Sequence, residues 1–446
     1  MARPLDALRE HIAGLSIIDT HEHLWGRETA RDMRLDVLGE YLAQYFSADL
    51  VSAGLPLSQM PTVCDPALPL AKRWAMVEPY WRAAEDTGYG RALRIAARDL
   101  YGVERIDAKT IGRLNEAFCA ARAAGNTYQH VLKDRSKIGL SLLDAIWEGH
   151  GECDRRFFVP VLRVDPCLSV ATQAHLDALA ALAGMDRIHT LEDLEGAFLR
   201  ILERETRSGI AGLKCAVAYE RPLSFAKPTR AQAEEQINAI WSRECHGGIS
   251  GSAWLTLSDY MMHFICREAD QRGLPFQIHT GLQEGSGNYL CHADPLLLAN
   301  LFMEYRRVKF DLFHASYPFM GSLAALAKNF PNVFIDMAWM HIISPAVAVE
   351  ALGAFLDAVP ANKINGFGGD YVFVDGVYGH QVLARENIAQ ALAAKVERDV
   401  FDLDRARQLA EMMLHDNPIQ IFDLQRFLKP APAKNTTGLT TKTRRH

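Results

Sequence analysis

Little in this 446-residue chain suits a secreted, membrane-bound or nucleic-acid-binding protein. The eight cysteines (Cys64, Cys119, Cys153, Cys167, Cys215, Cys245, Cys266 and Cys291) contain no C-x-x-C pair and follow no regular spacing. That argues against a disulfide framework and for reduced, mostly buried thiols, so a cytoplasmic location is expected. No apolar run reaches the roughly 18 residues of a membrane span, and the first residues lack the apolar core of a signal peptide. Basic residues form no stripe: 48 Lys and Arg stand against 54 Asp and Glu, a formal net charge of −6. Neither nucleic acid nor a membrane is therefore an expected partner. The phosphate-cradling pattern G-x-x-x-x-G-K-[ST] is absent as well. What is present is ordinary for a globular enzyme, 49% hydrophobic and 23% charged residues. The length allows two or three average domains, or one large α/β barrel with insertions.

Short β-branched or aromatic runs recur along the chain. They lie at Leu15–Thr20, 136–143, 157–163, 210–217, 275–279, 308–314, 333–337 and 363–370, which makes eight predicted strands. From the fourth onward they alternate with stretches such as 260–272, 287–306, 318–329 and 344–358, whose apolar spacing suits helices. Eight alternating units predict an α/β fold, a (β/α)8 TIM barrel over 1–430. The stretch 24–135 is too long for a simple crossover and carries helical patterns at 31–45, 70–86 and 105–124. It reads as a helical insertion after strand one lying over the barrel mouth, with an independent small domain as the alternative. The segment 220–257 reads as a second long loop, and 431–446, without acidic residues, as a disordered tail.

Against that strand map the histidines become informative. His21-Glu22-His23 ends the first strand, where side chains two apart point the same way and Glu22 points elsewhere. Lys214 sits on strand four, His279 ends strand five, His314 ends strand six and Asp370 ends strand eight. All of these positions project towards the C-terminal mouth of a barrel, where such folds place their chemistry. One strand-end histidine is commonly a satisfied polar residue; four with an aspartate at one point are not explained structurally. Imidazole and carboxylate suit zinc, manganese or iron.

The runs Ile18-Asp19-Thr20-His21-Glu22-His23, Gly212-Leu213-Lys214, Gln277-Ile278-His279-Thr280-Gly281, Phe313-His314-Ala315-Ser316-Tyr317-Pro318, Asn332–Asp336 and Gly368-Gly369-Asp370 resemble the amidohydrolase superfamily, in its amidohydrolase 2 branch. Residues 260–390 are also similar to the amidohydrolase-like domain fused to some glutamine-synthetase-like proteins. The resemblance covers 15–23 and much of 205–425, not the insertion. It implies that His21, His23 and Asp370 hold a first divalent metal and His279 and His314 a second. Lys214, carboxylated by CO₂, would bridge the two. A full six-residue set favours two ions, zinc first, although Lys214 also reads as an ordinary substrate-binding lysine.

Implied with it are a metal-dependent hydrolase and catalytic roles for Asp370 and His314. Activated hydroxide would attack a C–N or C–O bond of a small polar substrate, with Asp370 moving the proton. The alternatives are a one-metal decarboxylase of aromatic or unsaturated acids, in which His314 is acid or base, and a uronate-isomerase-like enzyme, whose helical insertion is similar in outline. Arg163 reads as a clamp for a substrate carboxylate or, equally, as a salt bridge to Asp165. Trp25 and Tyr219 are expected to wall the mouth. Trp339 and His341 follow strand seven and are candidates to face it, as is Tyr371 in a loop 371–385 with Asp375, Tyr378 and His380. The expected partner is a small molecule, and the apolar insertion offers a surface for a homo-oligomer.

Overall fold

The computed structural model describes residues 3–145, 152–242 and 254–428. The expected tail at 431–446 and part of the loop at 220–257 lie outside the described residues. The strands are β1 (Ile17–Glu22), β2 (Ile138–Leu143), β3 (Phe158–Pro160 and Leu162–Arg163), β4 (Leu213–Cys215), β5 (Phe276–Ile278), β6 (Phe310–Leu312), β7 (Val333–Asp336) and β8 (Ile364–Asn365). Every neighbouring pair is parallel, in sequence order. The run at 157–163 is one passage broken at Val161, because Pro160 has no N–H to donate to the ladder. Its carbonyl still accepts from Ala211 at 2.8 Å, and Leu162 donates to the Gly212 carbonyl at 2.9 Å. Last and first strands are joined by backbone bonds from Thr20 to Phe367 (3.1 Å) and from Asp370 to the His21 carbonyl (2.8 Å). The protein is a (β/α)8 barrel.

The strands are shorter than the apolar runs that announce them. In β8 only Ile364–Asn365 pairs in the ladder, and the chain then runs through Gly366, Gly368 and Gly369 to Asp370. Ile419, Ile421, Phe422 and Leu424 pack on Ile18, Leu140, Leu142 and Ala211 in a second apolar cluster. Buried apolar contact of this kind contributes about 25 cal/mol per Å² removed from water.

The insertion is helical, with different boundaries from those expected. Only Val37–Tyr41 of the 31–45 pattern forms a helix, capped by the Asp36 carboxylate on the Gly39 N–H. Helices Leu70–Ala84 and Ile111–Ala123 match the patterns, while Gly88–Tyr101, capped by Thr87, was not among those expected although Tyr89, Ala92, Leu93, Ala96 and Ala97 are buried at helical spacing. The segment at 220–257 is not all loop either: a Thr229–Gln232 capping box starts a helix over Arg230–Trp241. The expected loop at 371–385 is the first half of a 24-residue helix, Val374–Glu397. Its glycines read as loop but serve close packing. A Cβ at Gly379 would lie 2.0 Å from the Ala92 carbonyl oxygen, and one at Gly376 would lie 2.4 Å from the Tyr371 ring. That contact fastens the insertion's Gly88–Tyr101 helix to the barrel wall.

Candidate metal centre

The upper ends of the strands carry the candidate ligands on unusual backbone. His314, Trp339 and Asp370 have φ of 61°, 61° and 58°. For non-glycine residues this left-handed conformation costs on the order of 1 kcal/mol or more each, and it re-aims side chains where a strand ends. β1 has a register shift between Asp19 and Glu22. It leaves Glu22 hydrogen-bonded to Asp19 and to the Tyr371 N–H (2.9 Å), away from the histidines. Asp19 accepts the N–H groups of His21 (3.2 Å) and Gly369 (2.9 Å). Burial, reinforced by Asp19, pushes the Glu22 carboxyl well above its ordinary range, so the two acids share a proton. This pair ties the segment bearing His21 to the segment bearing Asp370.

Two histidine pairs then meet around Asp370. On one side its Oδ1 lies 3.2 Å from His23 Nε2 and 3.7 Å from His21 Nε2. On the other, Oδ2 lies 3.8 Å from His314 Nε2, which is 3.1 Å from His279 Nδ1. The outward nitrogens are fixed by backbone carbonyls: His23 Nδ1 at Asp144 (3.0 Å), His314 Nδ1 at Ala338 (2.9 Å) and His279 Nε2 at Leu282 (2.9 Å). The inward nitrogens then face one another and a carboxylate, His23 Nε2 against Asp370 and His314 Nε2 against His279 Nδ1, an arrangement suited to a cation. His21 is fully buried, and neither of its ring nitrogens has a hydrogen-bond partner among the described residues. Burial, with Lys214 and His23 adding repulsion, lowers the His21 pKa well below its usual value. Burial likewise holds His314 down to about 4. Neutral imidazoles are the form that ligates metal. For Asp370, burial works upward, but His23, His314 and Lys214 outweigh it and keep the carboxylate ionised. The donor set therefore fits a divalent ion.

Lys214 stands on β4 with its Nζ 3.9 Å from the Phe313 ring centroid. Burial, then the Arg163 charge, brings it down to about 8. Arg163 grips Asp144 with Nε at 3.1 and 3.0 Å and Asp165 with Nη1 at 2.9 Å. The salt-bridge reading of Arg163 thus holds, with Asp144 added as a partner. Asp144 was missed, although an aspartate directly after the β2 run Leu142-Leu143 is the same signal that marked Asp370. Its Oδ2 lies 3.9 Å from both His21 Nε2 and His23 Nδ1, and the three residues form a group able to hold a metal ion.

A cavity of about 280 Å³ lies above these groups. His23, Arg163, Lys214, Tyr219, His279 and Asp370 line it, and Gln44 and Tyr45 of the insertion cover it. Gln44 Nε2 donates to the Asp370 carbonyl at 3.0 Å, and so does the Tyr45 hydroxyl. Tyr219 lies with its ring 4.9 Å from His279. Other sequence candidates are elsewhere. Trp25 lines a neighbouring pocket with Ala43 and Val372, and Trp339 lines an adjoining chamber and stacks on Tyr45 at 4.3 Å. His341 turns away to the Gly366 carbonyl (2.9 Å), and Tyr371 is buried between Tyr45 and Phe373. A residue soon after a strand end often packs sideways into the next helix, which no spacing rule reveals.

A closed parallel barrel with two histidine pairs around one aspartate at its C-terminal end is the build of a metal-dependent barrel enzyme. The family model described as amidohydrolase, amidohydrolase 2, matches residues 249–424. Over those residues the chain is similar to the amidohydrolase 2 branch of the amidohydrolase superfamily. Protein fluG of Emericella nidulans is 24% identical over 248 residues, 53% of this chain, which spans only 28% of that relative's length. Among solved structures, a uronate isomerase from Thermotoga maritima superposes with a TM-score of 0.78 at 15% identity, covering 95% of this chain and 98% of its own. A glucuronate isomerase from Caulobacter crescentus gives 0.75 at 17% identity, with 96% of each chain covered. At these identities the likeness is one of fold. No described helix is long and apolar enough to cross a membrane.

Proposed function

We propose that the chain is a metal-dependent hydrolase that cleaves a C–N or C–O bond of a small polar substrate. The observation that carries this reading is Asp370, whose two carboxylate oxygens face different histidine pairs. His21, His23 and Asp370 would hold one ion, with Asp144 close enough to assist, and His279 and His314 a second. Lys214, which lines the same cavity, is the candidate carboxylated bridge, since its pKa near 8 leaves a usable fraction of neutral amine. A bound divalent ion, zinc first, supplies a Lewis acid and activates water at neutral pH.

The protein's own groups do the rest. Asp370, ionised at its Oδ1 and Oδ2, takes a proton from the attacking water and returns it to the leaving group. Tyr45 and Gln44 hold its backbone carbonyl, fixing the direction of the carboxylate. Tyr219 and the insertion limit water above the cavity. The cationic Lys214 side, in its uncarboxylated form, suits a substrate carboxylate, while Arg163 is largely spent on Asp144 and Asp165.

The fold likeness to two uronate isomerases, which extends through the insertion, favours a second reading, isomerisation of a sugar acid. The two are separated by assaying the zinc- or manganese-loaded protein in ¹⁸O-water against amides, lactones, uronates and aromatic acids. Hydrolysis places ¹⁸O in a carboxyl product. A uronate converted with no net uptake of water, and no hydrolysis of any amide or lactone, overturns the hydrolase reading. Loss of CO₂ from an aromatic acid overturns it in favour of a decarboxylase.

A further inference from the structure

Two tyrosines among the described residues line the candidate cavity, and their hydroxyls are used in opposite ways. Tyr45 gives its proton to the Asp370 carbonyl. Tyr219 accepts instead: its oxygen takes the Glu284 N–H at 2.9 Å, and its own proton goes to no acceptor among the described residues. A phenol both donates and accepts, and with an ordinary pKa of about 10 it stays protonated at neutral pH. Glu284 lines the same cavity, so this uncommitted O–H stands at the cavity wall.

The hydroxyl is also held in place before any ligand arrives. Tyr219 ends the one-turn helix Val217–Tyr219, which follows β4, the strand of Lys214. Gln283 Nε2 donates to the Ala218 carbonyl at 2.6 Å, which ties that turn to the segment supplying the Glu284 N–H. The Tyr219 ring rests against His279, with centroids 4.9 Å apart and planes inclined by 55°. Lys214, His279 and Asp370 line the cavity with it. An accepted N–H polarises the phenol and strengthens it as a donor. A donor fixed in advance needs no reorganisation when negative charge develops, which is what stabilising an oxyanion requires.

We infer that Tyr219 is a catalytic residue, whose hydroxyl donates a hydrogen bond to the substrate's carbonyl oxygen as negative charge builds there. This deepens the hydrolase reading and rests on it for the identity of the reacting carbonyl. As water adds to the carbonyl carbon, Asp370 takes the water's proton and the C=O electron pair moves onto oxygen. Tyr219 hydrogen-bonds that oxyanion and keeps its own proton. When the pair returns to re-form C=O, the C–N or C–O bond breaks and the leaving atom takes the proton from Asp370.

The test compares the zinc-loaded parent with Tyr219→Phe, which keeps the ring on His279 and removes the hydroxyl alone. Methylphosphonate, a tetrahedral oxyanion, is titrated into each by calorimetry, and zinc affinity is measured separately by competition with a chelator. Methylphosphonate is expected to bind the parent and to bind Tyr219→Phe at least tenfold more weakly, with zinc affinity unchanged within twofold. Equal phosphonate affinities or no binding to the parent overturns the proposal. So does a parallel loss of zinc affinity, which marks a contact that only supports His279. The hydrolase reading is judged apart, by turnover of amides and lactones in the parent. No hydrolysis there, with phosphonate binding still weakened in Tyr219→Phe, condemns that reading and leaves Tyr219 standing as a donor to substrate oxygen.

Discussion

Gly369→Ala would drive a methyl group into the acid pair that joins the two metal-bearing segments. The added Cβ would lie 1.7 Å from Glu22 Oε1 and 2.7 Å from its Cδ, where real contacts stay beyond 3.0 Å. The carboxyl has to swing by roughly 1 Å or more, the scale at which overpacking costs about 1–3 kcal/mol. It cannot do so freely, since Oε2 accepts the Tyr371 N–H at 2.9 Å and the group is bonded to Asp19. Losing a buried hydrogen bond of this kind adds about 1–2 kcal/mol. The substitution is therefore expected to cost about 2–5 kcal/mol in urea unfolding, and to weaken metal binding because Asp370 is the next residue. The control is Glu22→Ala, which removes the obstructing carboxyl. In a double-mutant cycle the pair should cost less than the sum of the singles by about 1–3 kcal/mol. A Gly369→Ala protein within about 0.5 kcal/mol of the parent, or strictly additive singles, would refute the argument.

Other substitutions probe separate parts of the account. Burial holds Asp375 up at about 7, with Tyr41 and Tyr101 hydroxyls donating to it and Glu40 adding repulsion. A carboxyl raised above its unfolded 3.8 contributes stability at low pH that is lost as pH rises through about 7. Asp375→Asn should therefore flatten the fall in stability across that window, and an unchanged slope in pH-dependent unfolding would count against it. Lys214→Met is expected to lower the bound metal from two ions per chain towards one, read by plasma mass spectrometry; two retained ions would exclude a bridging lysine. Tyr45→Phe removes one bond from the Asp370 carbonyl while Gln44 keeps the other, so a loss of about 1 kcal/mol in unfolding is expected and an unmoved midpoint contradicts it.

The barrel could be read from the chain because each strand is a short apolar run, buried on both faces, that ends in a polar residue. His21, His23, His279, His314 and Asp370 were legible for the same reason, since they sit where such runs stop, and Lys214 because it is a charged residue inside one. Asp144 carries that signal too, and was passed over because it follows a run that resembles no motif. Other features depend on contacts between distant parts of the chain. The pairing of Asp19 with Glu22 needs a register shift in β1, and alternation alone places those residues on opposite faces. Gly376 and Gly379 look like loop residues until Tyr371 and the Ala92 carbonyl are seen against them. His341 and Tyr371 pack sideways into the helix wall, and the covering role of Gln44 and Tyr45 depends on how the insertion folds back.

In the proposed site His21 and His23, together with Asp370, hold a divalent ion. Its most direct test is metal content after chelator treatment and reloading with zinc, measured per chain for the parent and for His21→Ala/His23→Ala, with circular dichroism to report the fold. At least one tightly held ion is expected in the parent, two if Lys214 bridges, and loss of the first ion in the double variant with its secondary structure intact. Equal metal content in the two proteins would contradict it.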